Sequence, residues 1–463
     1  MAKPPCDALV FFGATGDLAY KKIFPALYSM ARRGVLTVPV VGVAKQGWSV
    51  EQLRGRARES VEAHAKGAPV DRAALEAVLG ALSYVDGDYE APATFRELRQ
   101  QLRGAQRPLH YLAIPPSLFA TVVKGLGDAG CAAGARVVIE KPFGRSAQTA
   151  KALDAVVHGV FAEEDVFRID HFLGKEAVQN LVYLRFANAL FERLLHRDAV
   201  RTVQITMAES FGIQGRGRFY EEVGALRDVV QNHLLQVLAC VAMDPPVNDS
   251  AEALRDEKAR LLRSVRALNP DEVVRGQFRG YRDEAGVAKD STVETFVALR
   301  LWIDSWRWAG VPFLVRAGKS MPVDATEVFI ELKNPPHEVF PEGIPPRASY
   351  LRFRLGPDVA IALGARVKVP GEANRGQGTE LQLVRNPGED LLPYERLLGD
   401  ALHGDATLFA RDDVVREQWR IVEPALGCNR VHIYEPGTWG PLECNKTVEG
   451  FDLWHDPEPA ARS

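Results

Sequence analysis

Short uninterrupted apolar runs alternate with helical patterns over about the first 170 residues. Four of these runs have the length of strands that are buried on both faces, at residues 8–12, 38–43, 109–114 and 136–140. Segments with helical periodicity separate them, beginning with residues 21–33, which Gly34 closes. Buried strands that alternate with helices are typical of βαβ units, so we predict an α/β domain with a parallel sheet over residues 1–170.

The pattern changes after residue 170. A long helical stretch is predicted over residues 174–197, and another over residues 222–243, where Pro245 and Pro246 stop it. Longer strands then follow one another with turns between them, at residues 292–303, 327–333, 349–355 and 380–384. Strands without intervening helices favour antiparallel pairing, so we predict a larger α+β domain with a mostly antiparallel sheet over residues 171–463.

The amino-acid composition excludes several classes of protein. The 463 residues are 46% hydrophobic and 25% charged, an ordinary globular mixture that excludes a disordered chain. The net charge of -3 gives no electrostatic reason to bind nucleic acid or an anionic membrane. The apolar stretches are shorter than the ~20 residues of a membrane-spanning helix. Five scattered cysteines without a CxxC pair, and no secretion-signal pattern, lead us to expect a reduced, cytoplasmic compartment.

A glycine-rich turn follows the first predicted strand and opens the first predicted helix. Its GxxGxxA spacing is related to the GxGxxG fingerprint, in which glycines let backbone N–H groups approach a pyrophosphate at a helix N-terminus. We therefore predict that residues 1–170 are a Rossmann-like dinucleotide-binding domain. The predicted cofactor contacts in this turn are Gly13, Ala14, Thr15, Gly16, Asp17 and Leu18.

The residues after the second predicted strand bear on which dinucleotide binds. An acidic residue there would bind the ribose 2′-hydroxyl of NAD, but the sequence has Lys45 and no carboxylate. Lys45 is a candidate contact for a 2′-phosphate, and a solvated loop lysine is the alternative interpretation. We expect NADP as the cofactor, with NAD as a secondary one.

Three further segments place several polar or charged groups beside strongly apolar neighbours, at residues 140–144, 168–176 and 227–233. Buried charge is costly without a partner, so three such clusters in one chain indicate a functional site. Together with the glycine-rich turn, Gly318-Lys319 and residues 434–440, they resemble the glucose-6-phosphate dehydrogenases over nearly the whole chain. The segment Arg168–Ile169–Asp170–His171–Phe172–Leu173–Gly174–Lys175–Glu176 is the most specific part of this resemblance.

The resemblance implies oxidation of glucose 6-phosphate at C1 to 6-phospho-glucono-1,5-lactone, the first step of the oxidative pentose phosphate pathway. His233 would be the general base and Asp170, 63 residues before it, the partner that orients its ring. The implied substrate contacts are Lys22, Lys141, His171, Lys175, Glu209, Asp228 and Lys319. Lys141 and Lys45 would also contact the cofactor, the Lys141–Pro142 bond would be cis, and the assembly would be a homodimer or homotetramer.

The sequence also departs from the family pattern. Phe172 stands where many relatives have tyrosine, Lys45 where many have arginine, and Asp324 where many have a basic residue. These changes keep open a related dehydrogenase for another hexose phosphate or for glucose. A catalytically silent nucleotide-binding homologue is the alternative from another class, although His233 and Asp170 are both present. No metal is predicted, because the histidines show no HExxH or Cys/His spacing.

Overall fold

A computed structural model describes residues 4–65, 69–337, 339–340, 347, 349–384, 391–428, 430–451 and 453–459. The chain divides into two compact units, each of which is discontinuous in sequence. The first unit comprises Met1–Glu176, Pro246–Asp256 and Asp390–Arg416. The second unit comprises Ala177–Pro245, Glu257–Glu389 and Glu417–Ser463.

The first unit is built on a seven-stranded sheet. Its strands are β1 (Ala8–Phe12), β2 (Val40–Ala44), β3 (Leu82–Asp86), β4 (Pro108–Leu112), β5 (Arg136–Glu140), β6 (Val166–Ile169) and β15 (Phe409–Ala410). The order is β15-β6-β5-β4-β1-β2-β3, in which β1 to β6 are parallel and β15 pairs antiparallel with β6. The predicted α/β class is therefore confirmed. The strand order reverses between β1 and β4, and such a switch point is where doubly wound sheets bind dinucleotides.

Helices cover this sheet. They are α1 (Phe24–Arg32), α2 (Val50–His64), α3 (Arg72–Ala81), α4 (Pro92–Gln101), α5 (Phe119–Asp128), α6 (Ala147–His158) and α12 (Pro393–His403). Ser49 and Gln52 form a capping box at the start of α2, which fixes where that helix begins. Helix α12 comes from much later in the chain, yet Leu397 and Ala401 belong to the same buried core as Phe24.

The second unit contains a nine-stranded sheet. Its strands are β7 (Val200–Ala208), β8 (Val273–Phe278), β9 (Phe296–Leu301), β10 (Phe313–Gly318), β11 (Ala325–Leu332), β12 (Tyr350–Gly356), β13 (Val359–Lys368), β14 (Gly376–Val384) and β16 (Val431–Tyr434). The order is β14-β13-β12-β11-β7-β10-β9-β8-β16. All neighbours pair antiparallel except β7 with β10 and β8 with β16, which confirms the predicted mostly antiparallel sheet.

The remaining α-helices are α7 (Glu176–Ala187), α8 (Ala189–Leu194), α9 (Gly217–Ala225), α10 (Leu235–Ala242), α11 (Ala251–Ser264) and α13 (Asp412–Val422). The helix predicted over residues 174–197 is two helices, because Asn188 leaves the helical conformation at φ -134°. A π-helical segment, Leu226–Leu234, interrupts the helix predicted over residues 222–243. Within the described part of the chain, no helix has the length and apolar content needed to cross a membrane.

Candidate active site

The glycine-rich turn is held between the ends of β2 and β4. The N–H of Gly13 donates to the carbonyl of Val43 and to the hydroxyl of Tyr89, both at 2.9 Å. Gly13 has φ +81°, and a Cβ there would lie 2.2 Å from the carbonyl oxygen of Ala113. Only glycine fits this position, so the backbone of the turn stays open to a ligand phosphate.

The helix after the turn begins as a π-helix rather than an α-helix. The segment Ala19–Ile23 carries Lys22, which is exposed, and α1 continues from it. Tyr20 in the same segment packs against Arg56, whose guanidinium carbon lies 4.4 Å from the centre of the Tyr20 ring. Short π-helical stretches occur often at functional sites, and this one presents Lys22 four residues after the last predicted turn residue, Leu18.

Two carboxylates that sequence reasoning missed, Asp86 and Asp88, lie at the carboxyl end of β3. Asp86 accepts hydrogen bonds from the N–H groups of Gln46 at 3.0 Å and Gly47 at 2.7 Å, and these bonds lower the pKa of Asp86. Asp88 pairs with the exposed ammonium of Lys45, and this hydrogen bond raises the pKa of Lys45. The sequence pattern did not predict β3, so it gave no reason to place these carboxylates beside Lys45.

Strand β5 ends in a buried carboxylate. Glu140 accepts hydrogen bonds from the hydroxyls of Tyr111 and Tyr394, and burial raises the pKa of Glu140. The Lys141–Pro142 peptide bond that follows is cis, as the resemblance implied. Sequence reasoning singled out residues 140–144 but not the two tyrosines, since Tyr111 lies on another strand and Tyr394 is more than 250 residues away.

Strand β6 leads directly into the segment that carries Asp170, His171 and Lys175. Asp170 is buried, and its Oδ1 accepts the N–H of Phe172 at 3.0 Å, which closes a tight turn. The Lys175 ammonium lies 3.7 Å from the centre of the Phe172 ring. The phenylalanine that replaces the tyrosine of many relatives therefore supports the lysine by a cation–π contact.

Helix α12 supports this segment from the same unit. A Cβ at Gly174 would lie 3.1 Å from both Leu397 and the carbonyl of Pro393, so a larger residue there would push against α12. Glu176 accepts a hydrogen bond from Arg396 at 2.7 Å. The turn at Asp170 and the ion pair of Glu176 with Arg396 fix the segment at both ends, and the ion pair has no signal in the local sequence.

In the second unit, Glu209 and Lys319 follow the carboxyl ends of the adjacent parallel strands β7 and β10. Their side chains form an ion pair, and the Lys319 side chain is almost fully buried. The hydroxyl of Tyr434 donates to the carbonyl of Lys319 at 2.6 Å. This backbone bond and the ion pair hold a carboxylate and an ammonium side by side, a set of donors and acceptors suited to sugar hydroxyls.

Tyr220 is a buried residue affected by the charges of both Asp228 and Glu209. Burial, and after it the carboxylates of Asp228 and Glu209, raises the pKa of Tyr220 well above its usual value. The Lys319 ammonium lies 5.8 Å from the centre of the same ring. The three predicted hydroxyl contacts of the second unit are therefore linked to one buried tyrosine, Asp228 and Glu209 by their charges and Lys319 by its position near the ring; sequence reasoning did not identify this tyrosine.

Asp324 has a structural partner in the loop after β7. Its carboxylate accepts the N–H of Ser210 at 2.7 Å and the Ser210 hydroxyl at 2.8 Å. The residue that replaces a basic group of many relatives thus holds the loop that follows Glu209.

The π-helical segment of the second unit carries both Asp228 and His233. Five residues separate them, which is the hydrogen-bond spacing of a π-helix, so they lie about one turn apart. His233 is buried, and its N–H donates to the Asn232 side chain at 2.6 Å. Gly224, at φ +62°, breaks α9 just before this segment, and a Cβ there would meet the Glu294 carboxylate.

The structure thus brings the predicted residues together within each unit. The turn, Lys45 and Lys141 lie at the carboxyl ends of strands in the first sheet, as do Asp170 and His171. The predicted pairing of Asp170 with His233 joins residues of the two units and stays a prediction.

Comparison with known proteins adds a family to this geometry. Residues 10–180 match the family model described as "Glucose-6-phosphate dehydrogenase, NAD binding domain". Residues 182–455 match the model described as "Glucose-6-phosphate dehydrogenase, C-terminal domain".

Individual relatives agree over almost the full length. The protein named glucose-6-phosphate 1-dehydrogenase 1 of Mycobacterium bovis is 44% identical over 456 residues, covering 97% of this chain and 96% of the relative. The crystal structure of glucose-6-phosphate 1-dehydrogenase from Mycobacterium avium has 46% identity and a TM-score of 0.93, covering 99% of this chain and 100% of that one. A structure of glucose-6-phosphate dehydrogenase in complex with glucose 6-phosphate has 33% identity and a TM-score of 0.91 over the same shares.

Proposed function

The chain belongs to the glucose-6-phosphate dehydrogenase family, and from this premise we propose how its residues share the reaction. It is an oxidoreductase that oxidises glucose 6-phosphate at C1 to 6-phospho-glucono-1,5-lactone, the first step of the oxidative pentose phosphate pathway. The assignment of the substrate rests on one observation. A solved relative with a TM-score of 0.91 over 99% of this chain binds glucose 6-phosphate as its substrate.

The cofactor is a nicotinamide dinucleotide, and we propose NADP as the preferred one. When bound, it supplies the nicotinamide ring that accepts the hydride from C1. The backbone of the Gly13 turn would approach the pyrophosphate, because no side chain at Gly13 blocks it. Lys45, at the end of β2, would meet the 2′-phosphate, and Lys22 and Lys141 would lie near the transferred hydride.

His233 would act as the general base. It would take the proton from the C1 hydroxyl while the hydride leaves C1, a task suited to an imidazole because its unperturbed pKa of ~6.5 lies near working pH. Asp170 would hold the imidazole ring in place and stabilise its charged form. The burial of both side chains supports these roles, since buried ionisable groups require partners.

The remaining predicted residues would bind the sugar phosphate. His171 and Lys175, four residues apart, would bind the phosphate by charge-assisted hydrogen bonds. Glu209, Asp228 and Lys319 would bind sugar hydroxyls, and the ion pair of Glu209 with Lys319 near the ring of Tyr220 supports this assignment.

We propose the same domain division as the sequence analysis, with cofactor binding in residues 1–170 and substrate binding and self-association in residues 171–463. We also propose a homodimer or homotetramer, which light scattering of the purified protein tests. Exposed Leu381 and Leu383 on the edge strand β14 support association with a second copy. A cytoplasmic location is proposed from relatives such as the Arabidopsis thaliana enzyme whose name includes the word cytoplasmic.

A two-by-two kinetic grid tests the function. Reduction of NADP and of NAD would be followed with glucose 6-phosphate and with glucose. We expect turnover with glucose 6-phosphate and a higher kcat/KM with NADP. Turnover with glucose alone would contradict the phosphate contacts, and dinucleotide binding without turnover of either sugar would favour the silent homologue.

A further inference from the structure

The cofactor edge of the first unit carries a carboxylate that the proposed reaction does not use. Asp88 lies two residues after the end of β3, which pairs in parallel with β2. Its side chain forms an ion pair with Lys45. We propose that Asp88 weakens the preference of this enzyme for NADP by competing with the 2′-phosphate for Lys45, so that NAD is accepted as well. This inference rests on the proposed binding of the dinucleotide at the Gly13 turn.

Two opposite charges meet where the adenosine ribose is recognised. In doubly wound sheets, the carboxyl end of the second strand distinguishes a ribose 2′-hydroxyl from a 2′-phosphate. Lys45 stands at that position, and Asp88 reaches it from the neighbouring strand. A 2′-phosphate must displace the Asp88 carboxylate from Lys45 before it can bind the ammonium. A 2′-hydroxyl carries no charge and does not depend on this ammonium, so the pair does not weaken the binding of NAD.

The backbone donors of the same loop are already used by a second carboxylate. The N–H groups of Gln46 and Gly47 point to Asp86, at 3.0 and 2.7 Å. Successive backbone N–H groups of this kind are a common binding site for anions. Because Asp86 occupies them, the loop after β2 leaves the 2′-phosphate more dependent on Lys45, and so on whether Asp88 holds it.

The solvent exposure of the Lys45–Asp88 pair predicts a partial effect on cofactor preference. The side chains of Lys45 and Asp88 are 69% and 38% exposed. Exposed ion pairs are weak and are screened by salt, so a dinucleotide can separate this one. Asp88 is therefore expected to adjust the ratio of the two cofactor activities without abolishing either.

The test is the variant Asp88→Asn. Asparagine keeps an oxygen that can accept the Glu90 N–H, 3.0 Å from Asp88 Oδ1, and leaves the carbonyl that Thr94 binds at 2.7 Å. The loop is therefore retained while the charge is lost. We expect kcat/KM for NADP relative to NAD to rise about five-fold. The matched control is Glu97→Gln, which removes one exposed carboxylate from α4 and should leave the ratio within a factor of about two.

A second background shows whether Asp88 acts through Lys45. In a Lys45→Met protein, Asp88→Asn should change the cofactor ratio by less than about two-fold, because the ammonium for which Asp88 and the 2′-phosphate compete is gone. An unchanged ratio in the single variant, the same rise in Glu97→Gln, or a full effect that persists without Lys45 would each overturn the proposal.

A binding measurement separates this inference from the proposed function. Isothermal titration with adenosine 2′,5′-bisphosphate and with AMP needs no turnover. If the wild-type protein oxidised neither sugar, the proposed function would fail, while a gain in affinity of Asp88→Asn for the bisphosphate alone would still support the role of Asp88. Equal affinities of the wild type and Asp88→Asn for the bisphosphate would overturn that role whatever the activity.

Discussion

Arg275 donates a hydrogen bond to the carboxylate of Glu294 at 2.7 Å, and both side chains are about 95% buried. The other oxygen of this carboxylate accepts the N–H of Leu226 at 3.2 Å, and the Glu294 carbonyl accepts the N–H of Ala225 at 3.0 Å. These are the residues with which the π-helical segment of His233 begins. A buried charge pair therefore anchors the start of the element that carries the proposed base.

Glu294→Gln is expected to lower the free energy of unfolding by about 3 kcal/mol, because it removes the charge of a buried carboxylate that pairs with the buried Arg275 guanidinium. Urea denaturation measures this loss. The control is Glu435→Gln, which breaks the exposed pair of Glu435 with Arg279 and should cost at most about 1 kcal/mol. Equal losses in the two variants would show that the buried pair has no special importance.

The class of both sheets could be predicted from the sequence, and individual elements show where such prediction fails. The runs at residues 8–12 and 136–140 coincide with β1 and β5, because strands buried on both faces need uninterrupted apolar residues. Strand β3 was not predicted, because it is partly exposed and Ser83 and Tyr84 interrupt its apolar residues. Helix α12 belongs to the first unit, although nothing in its own sequence places it there.

The candidate site shows the same division between local and distant information. Motif residues such as Gly13 and Lys175 were found because their neighbours in sequence carry the signal. Tyr394, Asp88 and Glu294 were missed, since each acts on a residue more than 40 positions away and has an ordinary local context. Charge and hydrogen-bonding partners of this kind depend on strand order and helix packing, which periodicity alone does not give.

His233→Asn is expected to lower kcat about 10²- to 10⁴-fold with little change in KM for glucose 6-phosphate, because it removes the proton acceptor of the reaction. Steady-state kinetics at saturating NADP measures both constants. His432→Asn, on β16 in the same unit, is the matched control and should leave kcat near that of the wild type. A kcat unaffected by the loss of His233 would remove this residue from the role of base.

Lys175→Ala should raise KM for glucose 6-phosphate at least about ten-fold, since a charge-assisted contact to the phosphate is lost. The activity with free glucose, which has no phosphate, should change much less. Lys151→Ala, at an exposed position on α6, controls for the loss of one positive charge. If the two sugars were affected alike, Lys175 would not be a phosphate contact.

Asp400, in the last turn of α12, gives the first unit a pH-dependent stability. Burial, and after it the carboxylate of Asp405, raises the pKa of Asp400 to about 6. An unfolded aspartate has a pKa of about 3.9, so between about pH 4 and 6 the folded protein holds a proton that the unfolded chain has released. The stability contributed by this protonated carboxyl is fully present below about pH 4 and is lost as the pH rises through about 6.

Asp400→Asn cannot ionise and should escape this loss. Its free energy of unfolding relative to the wild type should therefore increase by about 2 kcal/mol between pH 4 and pH 7, with most of the change complete near pH 6. Urea denaturation at half-unit pH intervals measures this difference, and its change with pH is independent of any constant effect of the amide. Asp128→Asn, which alters an exposed carboxylate at the end of α5, should give a difference that stays flat over the same range. A flat difference for Asp400→Asn as well would mean that Asp400 has the same pKa in the folded and the unfolded protein, and that its partial burial on α12 does not hold the proton.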